Sequence, residues 1–367
     1  MQNKLKYACI GAGGIADKKH LNEYSKLNAV EITAICDCDI EAAKRLAEKY
    51  KIPHVYTDYK AMLAEQRLDL VSICTPNFLH AEICIDALEA GVNVHCEKPL
   101  ALNAEEVLNI IEEKNKSGKK LMVALNNRFT NEAAHIYELI EKDFFGEIYH
   151  AKCGWKRNSG IPGIGRWFTD KKLSGGGPLI DLGVHFLDLA LYFMQFPRAV
   201  SVYAATYSAF GRDADRIRVG YKSIKDGVFN VEDTAVGFIR LENDATIDFD
   251  FSWASNIEKE QKYVELLGTK GGLSFVNGEI KLYSQIGNAC YTLTPDTKTI
   301  PLAQNECRHF VECIISNKEP SASVEQAYEL MKIIDSAYDS ASKKKEVRLT
   351  SKMQFGKYGQ RILAQSY

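Results

Sequence analysis

The sequence predicts an α/β protein of two domains: a doubly wound parallel sheet over residues 1–125 and a second α/β domain containing antiparallel strands over residues 126–367. Three observations carry this. Short β-branched runs alternate with helical patterns from Lys4 to Leu125, the order that builds a parallel sheet covered on both faces. A glycine turn, "GAGGIA", follows the first of these runs. Beyond Asn126 the texture changes to clean two-residue alternation, and 367 residues exceed what one ordinary core organises.

Taken in order, "KYACIG", "VEITAICD", "DLVSICTP", "VNVHCEKP" and "KLMVAL" read as strands. Segments such as "DIEAAKRLAEKY" and "AEEVLNIIEEKNKSG" read as the helices between them. A helix around "NEAAHIYELIEKDFFG" opens the second part and leads to "EIYHAKCGWKRNSGIPGIGRWF", rich in glycine, arginine and tryptophan. "ATIDFDFSWAS" places Ile247, Phe249, Phe251 and Trp253 on one face and Thr246, Asp248, Asp250 and Ser252 on the other. With "YVELLG", the turn "TKGG" and "LSFVNG" it predicts antiparallel strands with one face solvated or paired with a partner. "NECRHFVECIISN" and "SVEQAYELMKIIDSAYDSASKKK" read as two closing helices.

Composition narrows the function. With 46% hydrophobic and 26% charged residues the chain has globular proportions, and a net charge of −2 gives no electrostatic reason to expect nucleic acid or an anionic membrane as partner. "MQNKLKYACIGAGG" lacks the apolar core of a signal peptide and no later run reaches the ~20 apolar residues of a membrane span, so a cytoplasmic location is expected. The ten cysteines agree with that: Cys9, Cys36, Cys74 and Cys96 sit in apolar runs as small buried thiols, and Cys36 with Cys38 lacks a second ligand pair for zinc.

In "IGAGGIA", Gly11, Gly13 and Ala16 fit the G-x-G-x-x-G/A pattern between a strand and a helix, with Gly14 and Ile15 opening that helix. The first glycine permits the tight turn, the second lets a pyrophosphate approach the backbone, and the helix N-terminus supplies amide donors. Asp37 ends the second strand, where a carboxylate binds both ribose hydroxyls and repels a 2′-phosphate. The expected cofactor is NAD.

The stretch "SGGGPLIDLGVHFLDLALYFM" reads as a buried helix with proline at its first position. Asp181, His185 and Asp188 are spaced i, i+4, i+7 along one face, and the mid-helix Gly183 suggests close approach to the backbone. Buried polar groups of this kind pair with one another, hold a metal or line a polar cavity. A third metal ligand is not evident, His309 being unanchored, and no metal is expected.

"GAGGIA", "TPNFLH", "CEKPLA", "NNRF" and "GGGPLIDLGVHFLDLA", in this order, closely resemble the Gfo/Idh/MocA oxidoreductases from Leu5 to about Gly272. The resemblance implies a Rossmann domain followed by a domain with a large open, mainly antiparallel sheet, and a nicotinamide in the cleft between them. It implies oxidation of a secondary alcohol on a sugar, glycoside or cyclitol. The family's E-K-P lysine falls on Lys98, and its D-x-x-x-H pair on Asp181 and His185. Thr75, Pro76, Asn77, His80, Glu97 and the corner Asn126 to Arg128 match segments bordering the cofactor, and the Lys98–Pro99 bond is expected to be cis. A homo-oligomer is implied, paired through the open sheet face.

Alcohol oxidation needs a base within hydrogen-bond reach of the hydroxyl. The base is His185 or Lys98, with His185, near neutrality by nature, favoured; Lys98 then stabilises alkoxide character and Asp181 contacts the substrate or the lysine. Asp188 reads as structural, bonded to a backbone amide or an arginine, His95 reads as core, and His80 as either cofactor neighbour or helix-start packing. Arg128, Trp155, Arg157, Arg166 and Trp167 are the substrate candidates, offering guanidinium donors and flat faces to a polyhydroxylated ring. Glycoside 3-dehydrogenation is the favoured reaction and inositol dehydrogenation the next. An NAD-dependent glycoside hydrolase and a dinucleotide-binding sensor without chemistry are the alternatives.

Overall fold

The computed structural model describes residues 4–349 apart from 225 and 297, so the outer ends of both expected domains, residues 1–3 and 350–367, lie outside it. The chain divides into two compact units. The first takes residues 4–124 together with Gln304–Tyr328, and the second takes Leu125–Ala303 together with residues 329–349.

The first unit is built on six parallel strands: β1 (Leu5–Ile10), β2 (Val30–Cys36), β3 (His54–Tyr56), β4 (Leu70–Ile73), β5 (Asn93–Cys96) and β6 (Leu121–Val123). Their spatial order is β3-β2-β1-β4-β5-β6, so the direction of winding reverses between β1 and β4. Ligands of such sheets bind at the carboxyl ends of the strands beside that reversal. Strands β4 and β5 are buried throughout, as near-continuous apolar runs in a parallel sheet must be. The three-residue edge strand β3 is too short to give a periodic signal and was not expected from sequence. Helices start where a side chain satisfies the first free amides: Asp39 for Ile40–Tyr50 and Asn103 for Ala104–Ser117. The helix Glu306–Ser316, capped by Asn305, also belongs to this unit and packs Phe310 against His95.

The second unit carries a nine-stranded sheet in the order β14-β13-β12-β11-β7-β10-β9-β8-β15. Its strands are β7 (Ile148–Lys156), β8 (Ala199–Tyr207), β9 (Thr234–Leu241), β10 (Thr246–Ser252), β11 (Gln261–Gly268), β12 (Gly271–Val276), β13 (Glu279–Ile286), β14 (Ala289–Leu293) and β15 (Val347–Arg348). All pairings are antiparallel except one. The alternating segment β10 runs parallel to β7, as a mainly antiparallel sheet allows, and "IYHAKCGWK" is itself β7, the central strand. Ile247, Phe249, Phe251 and Trp253 are buried as the alternation predicts, while Ser252 is drawn inside by hydrogen bonds to the carbonyls of Asp233 and Ala254.

The glycine run before the buried helix has a packing cause. The Glu232 carboxylate accepts the amides of Gly177 and Leu179 and the Tyr338 hydroxyl, closing the helix start. A Cβ on Gly177 would lie 2.0 Å from the Glu232 carbonyl oxygen. Pro178 then leads into a π turn, Leu179–Gly183, which continues as the α-helix Val184–Phe193. The close approach inferred at Gly183 is the ring of Phe251, 3.2 Å from the position of a Cβ. Among the described residues no helix is long and apolar enough to cross a membrane.

Gly11 is the tightest point of the first unit: φ is +99° and a Cβ would lie 2.6 Å from the Cys74 carbonyl oxygen. Gly11→Ala is expected to destabilise the protein by about 2–4 kcal/mol, combining left-handed strain with a backbone clash. Urea unfolding of the variant against wild type measures this.

Candidate active site

In the first unit the expected nucleotide residues gather at the carboxyl ends of β1, β2, β4 and β5. Beyond Gly11 the turn opens: Cβ atoms on Gly13 or Gly14 would meet nothing within 4 Å, leaving the backbone accessible to a bulky anion. Ile15 is 42% exposed beside them. The Asp37 carboxylate is fixed by the amides of Ala12 (2.6 Å) and Asp39 (2.8 Å), which tie the end of β2 to the glycine turn. These residues fit a dinucleotide: a tight turn, an open glycine face and an oriented carboxylate one strand away.

After β4, Pro76 precedes the turn Asn77–Leu79, in which Asn77 is buried, and the Thr75 hydroxyl is enclosed without a hydrogen-bond partner. His80 is buried, its ring nitrogens 2.7 Å from the Pro99 carbonyl oxygen and 2.9 Å from that of Thr75. It therefore joins the loops after β4 and β5 from within. Burial pushes its pKa down, against the two carbonyls.

The Lys98–Pro99 bond is cis, as the resemblance implies. Glu97 Oε2 accepts the Lys98 amide at 3.3 Å, while Glu97 Oε1 meets His20 Nε2 at 2.9 Å. His20 Nδ1 lies 2.9 Å from the Ser72 hydroxyl, which accepts from Tyr7. Burial raises the Glu97 pKa, but the hydrogen bond from His20 and the charges of Lys19 and Lys98 outweigh it and hold the carboxyl well below its usual range. Sequence reasoning missed His20, which sits on a π turn (Ala16–Leu21) among lysines and gives no periodic signal. His20, His95 and Cys307 are close enough to share a metal, all buried. His20 is already engaged, and His95 Nδ1 lies 2.9 Å from the Tyr24 hydroxyl.

In the second unit the three polar residues of the buried helix meet three different partners. Asp181 Oδ2 accepts from the Trp253 indole at 2.9 Å, leaving the carboxylate partly exposed. His185, also partly exposed, packs 5.9 Å from the Trp155 ring. Asp188 is buried and takes a two-pronged contact from Arg128, whose Nε is 2.8 Å from Oδ2 and whose Nη2 reaches Oδ1. Burial raises the Asp188 pKa, and Arg128 opposes it. Asp188 thus takes the arginine option of its structural reading.

The substrate candidates divide. Arg128 is 4% exposed, with its guanidinium over the Tyr192 and Phe196 rings as well as on Asp188, so it is placed to hold the helix and not to meet a ligand. Trp155, at the end of β7, donates its indole N–H to Glu260 and carries Arg157 at 4.5 Å and Lys262 at 4.4 Å from its ring centroid. Arg157 is buried with Nε 3.6 Å from Glu260; burial lowers its pKa, opposed by Asp181 and Glu260. Arg166 is exposed and donates to the Lys222 carbonyl, and Trp167 stacks on Phe168 at 3.7 Å. Asn126 Oδ1 is buried without a hydrogen-bond partner, as suits a residue awaiting a donor. Glu260, Lys262 and the indole of Trp253 were invisible in the sequence, because their contacts join segments far apart in the chain.

Both halves of the chain match one protein family. Residues 5–125 match the model of the GFO/IDH/MocA oxidoreductase family, NAD-binding Rossmann fold, and residues 133–274 that of the GFO/IDH/MocA C-terminal domain. The chain belongs to this family and is an NAD-dependent oxidoreductase. Among its relatives, D-glucoside 3-dehydrogenase of Escherichia coli (strain K12) is 34% identical over 352 residues, covering 94% of this chain and 97% of that one. Levoglucosan dehydrogenase of Pseudarthrobacter phenanthrenivorans is 29% identical over 295 residues, covering 75% of this chain and 74% of the relative. A solved structure of a levoglucosan dehydrogenase in complex with NADH has the same fold, with a TM-score of 0.84 at 22% identity over 95% of this chain and 100% of that one.

Two predictions follow from these contacts. Asp188→Asn is expected to cost about 3–5 kcal/mol in a urea titration, because it leaves the Arg128 charge buried and unanswered. Since the folded-state pKa of Glu97 is depressed, its contribution is present above the ordinary carboxyl value of about 4.3 and is lost as pH falls below it. Glu97→Gln is expected to lower Tm at pH 7 and to flatten the fall in Tm from about pH 5 to pH 3 in thermal denaturation.

Proposed function

We propose that the protein oxidises a secondary ring hydroxyl of a glycoside to a ketone, with the 3-hydroxyl of a glucoside as the favoured position. The observation that carries this is the full-length match to a D-glucoside 3-dehydrogenase together with the retention of Lys98, Asp181 and His185 in their motifs. Bound NAD supplies the acceptor for the hydride leaving the carbinol carbon. His185 takes the hydroxyl proton; its partial exposure and fixed place beside Trp155 suit a base that exchanges protons with solvent. Asp181, bonded by the Trp253 indole, contacts a substrate hydroxyl. Lys98, oriented through its backbone by Glu97, donates to the reacting oxygen and favours alkoxide character. The products are the ketone, NADH and a proton.

Gly11, Gly13, Gly14, Ile15 and Asp37 hold the dinucleotide, with Thr75, Pro76, Asn77, His80, Glu97 and Asn126 bordering it. Of the substrate candidates, Arg166 and Trp167 are assigned to the sugar, Trp155 and Arg157 to the wall beside His185, and Arg128 to the support of the helix. We assign residues 1–125 to the nucleotide and 126–367, apart from Gln304–Tyr328, which folds with the first unit, to substrate binding and assembly into a homo-oligomer. A cytoplasmic location completes this reading.

Purified protein with NAD and a panel of glucosides, free sugars and inositols is expected to form NADH and a product two hydrogens lighter by mass spectrometry. Lys98→Ala is expected to lower kcat at least about 100-fold. Released aglycone without NADH, or an unchanged Lys98→Ala rate, would contradict the assignment.

A further inference from the structure

Beside Trp155, and wholly within the second unit, lies a cavity of about 480 Å³. It falls in the size range of small-molecule sites. Phe186 and Phe275 form apolar walls, while Glu132, Glu260, Lys262 and Asn127 supply polar groups. Trp155 links this space to the helix of His185: its ring lies 5.6 Å from Phe186 and 5.9 Å from His185, and it bonds Glu260 and carries Lys262. The cavity is shaped in advance, since the Asn277 side chain, on a residue with φ of +51°, accepts the Lys262 amide and fixes the turn against β11.

Resting on the glycoside reading above, we infer that this cavity is a second saccharide subsite, so that the preferred substrate is a neutral disaccharide and not a simple alkyl or aryl glucoside. Two aromatic walls with carboxylate and amide groups between them match a polyhydroxylated ring, which has apolar faces and a polar rim. An aryl aglycone would offer those polar groups no hydrogen-bond partner. Asn127 Nδ2 is already such a group, enclosed without an acceptor. Two carboxylates against one lysine, itself engaged with Trp155 and 3.7 Å from Glu260, disfavour phosphorylated sugars and uronates.

The test titrates NADH-loaded enzyme with methyl glucoside, phenyl glucoside and a panel of α- and β-linked glucose disaccharides, by calorimetry. At least one disaccharide is expected to bind about tenfold more tightly than methyl glucoside. Glu132→Trp, which blocks the cavity, is expected to abolish that gain while methyl glucoside affinity is unchanged; the milder Glu132→Gln is expected to reduce it about threefold. Equal affinity for all ligands in the wild type, phenyl glucoside as tight as every disaccharide, or a disaccharide affinity untouched by both variants would overturn the subsite. NADH formation, measured on the same samples with NAD, judges the dehydrogenase reading separately: its absence with every sugar overturns that reading, while the binding differences still decide the subsite.

Discussion

The buried pairing of Asp188 with Arg128 is the constraint on which the second unit's helix depends. The helix Val184–Phe193 is apolar on almost every side, and a charge in its interior is tolerable only with an opposite charge in a matched geometry. Arg128 supplies it from the segment Asn126–Phe129, so the pair fixes both the rotation of the helix and the start of the unit. At the other end Glu232 holds the amides of Gly177 and Leu179. Pinned at its start and at Asp188, the segment presents Asp181 and His185, both partly exposed, from a rigid base.

The first unit reaches an equivalent order through a chain of hydrogen bonds under its strand ends. Tyr7, Ser72 and His20 fix one oxygen of Glu97, and the other takes the Lys98 amide. His80 fastens the loops after β4 and β5 to each other. In a parallel sheet these ends all emerge on one edge, so groups distant in sequence become neighbours without any long-range strain.

The parallel sheet was legible because its signals are local: β-branched runs, a glycine turn in the right context and capping residues at helix starts. The candidate residues within motifs were legible for the same reason, since Gly11, Asp37, Lys98 and His185 each announce themselves by type and spacing. Partnerships were not. That Asp188 pairs with Arg128, Asp181 with Trp253 and Glu97 with His20 depends on contacts 60, 72 and 77 residues apart in the chain. Period-two alternation located β10 but carried no information on whether its neighbour β7 ran parallel or antiparallel. Trp155 illustrates the limit: its residue type suggested a free face for a sugar, whereas the fold places Arg157 and Lys262 over the ring.

The most direct test of the central claim is to supply methyl glucoside carrying deuterium at carbon 3 and to follow the label. Oxidation at that position predicts deuterium in the reduced nicotinamide, a 3-keto product and a primary isotope effect on turnover. NADH without the label, from a substrate oxidised at another carbon, would contradict the assigned position. Loss of the label to water with release of methanol and no net NADH would contradict the dehydrogenase itself.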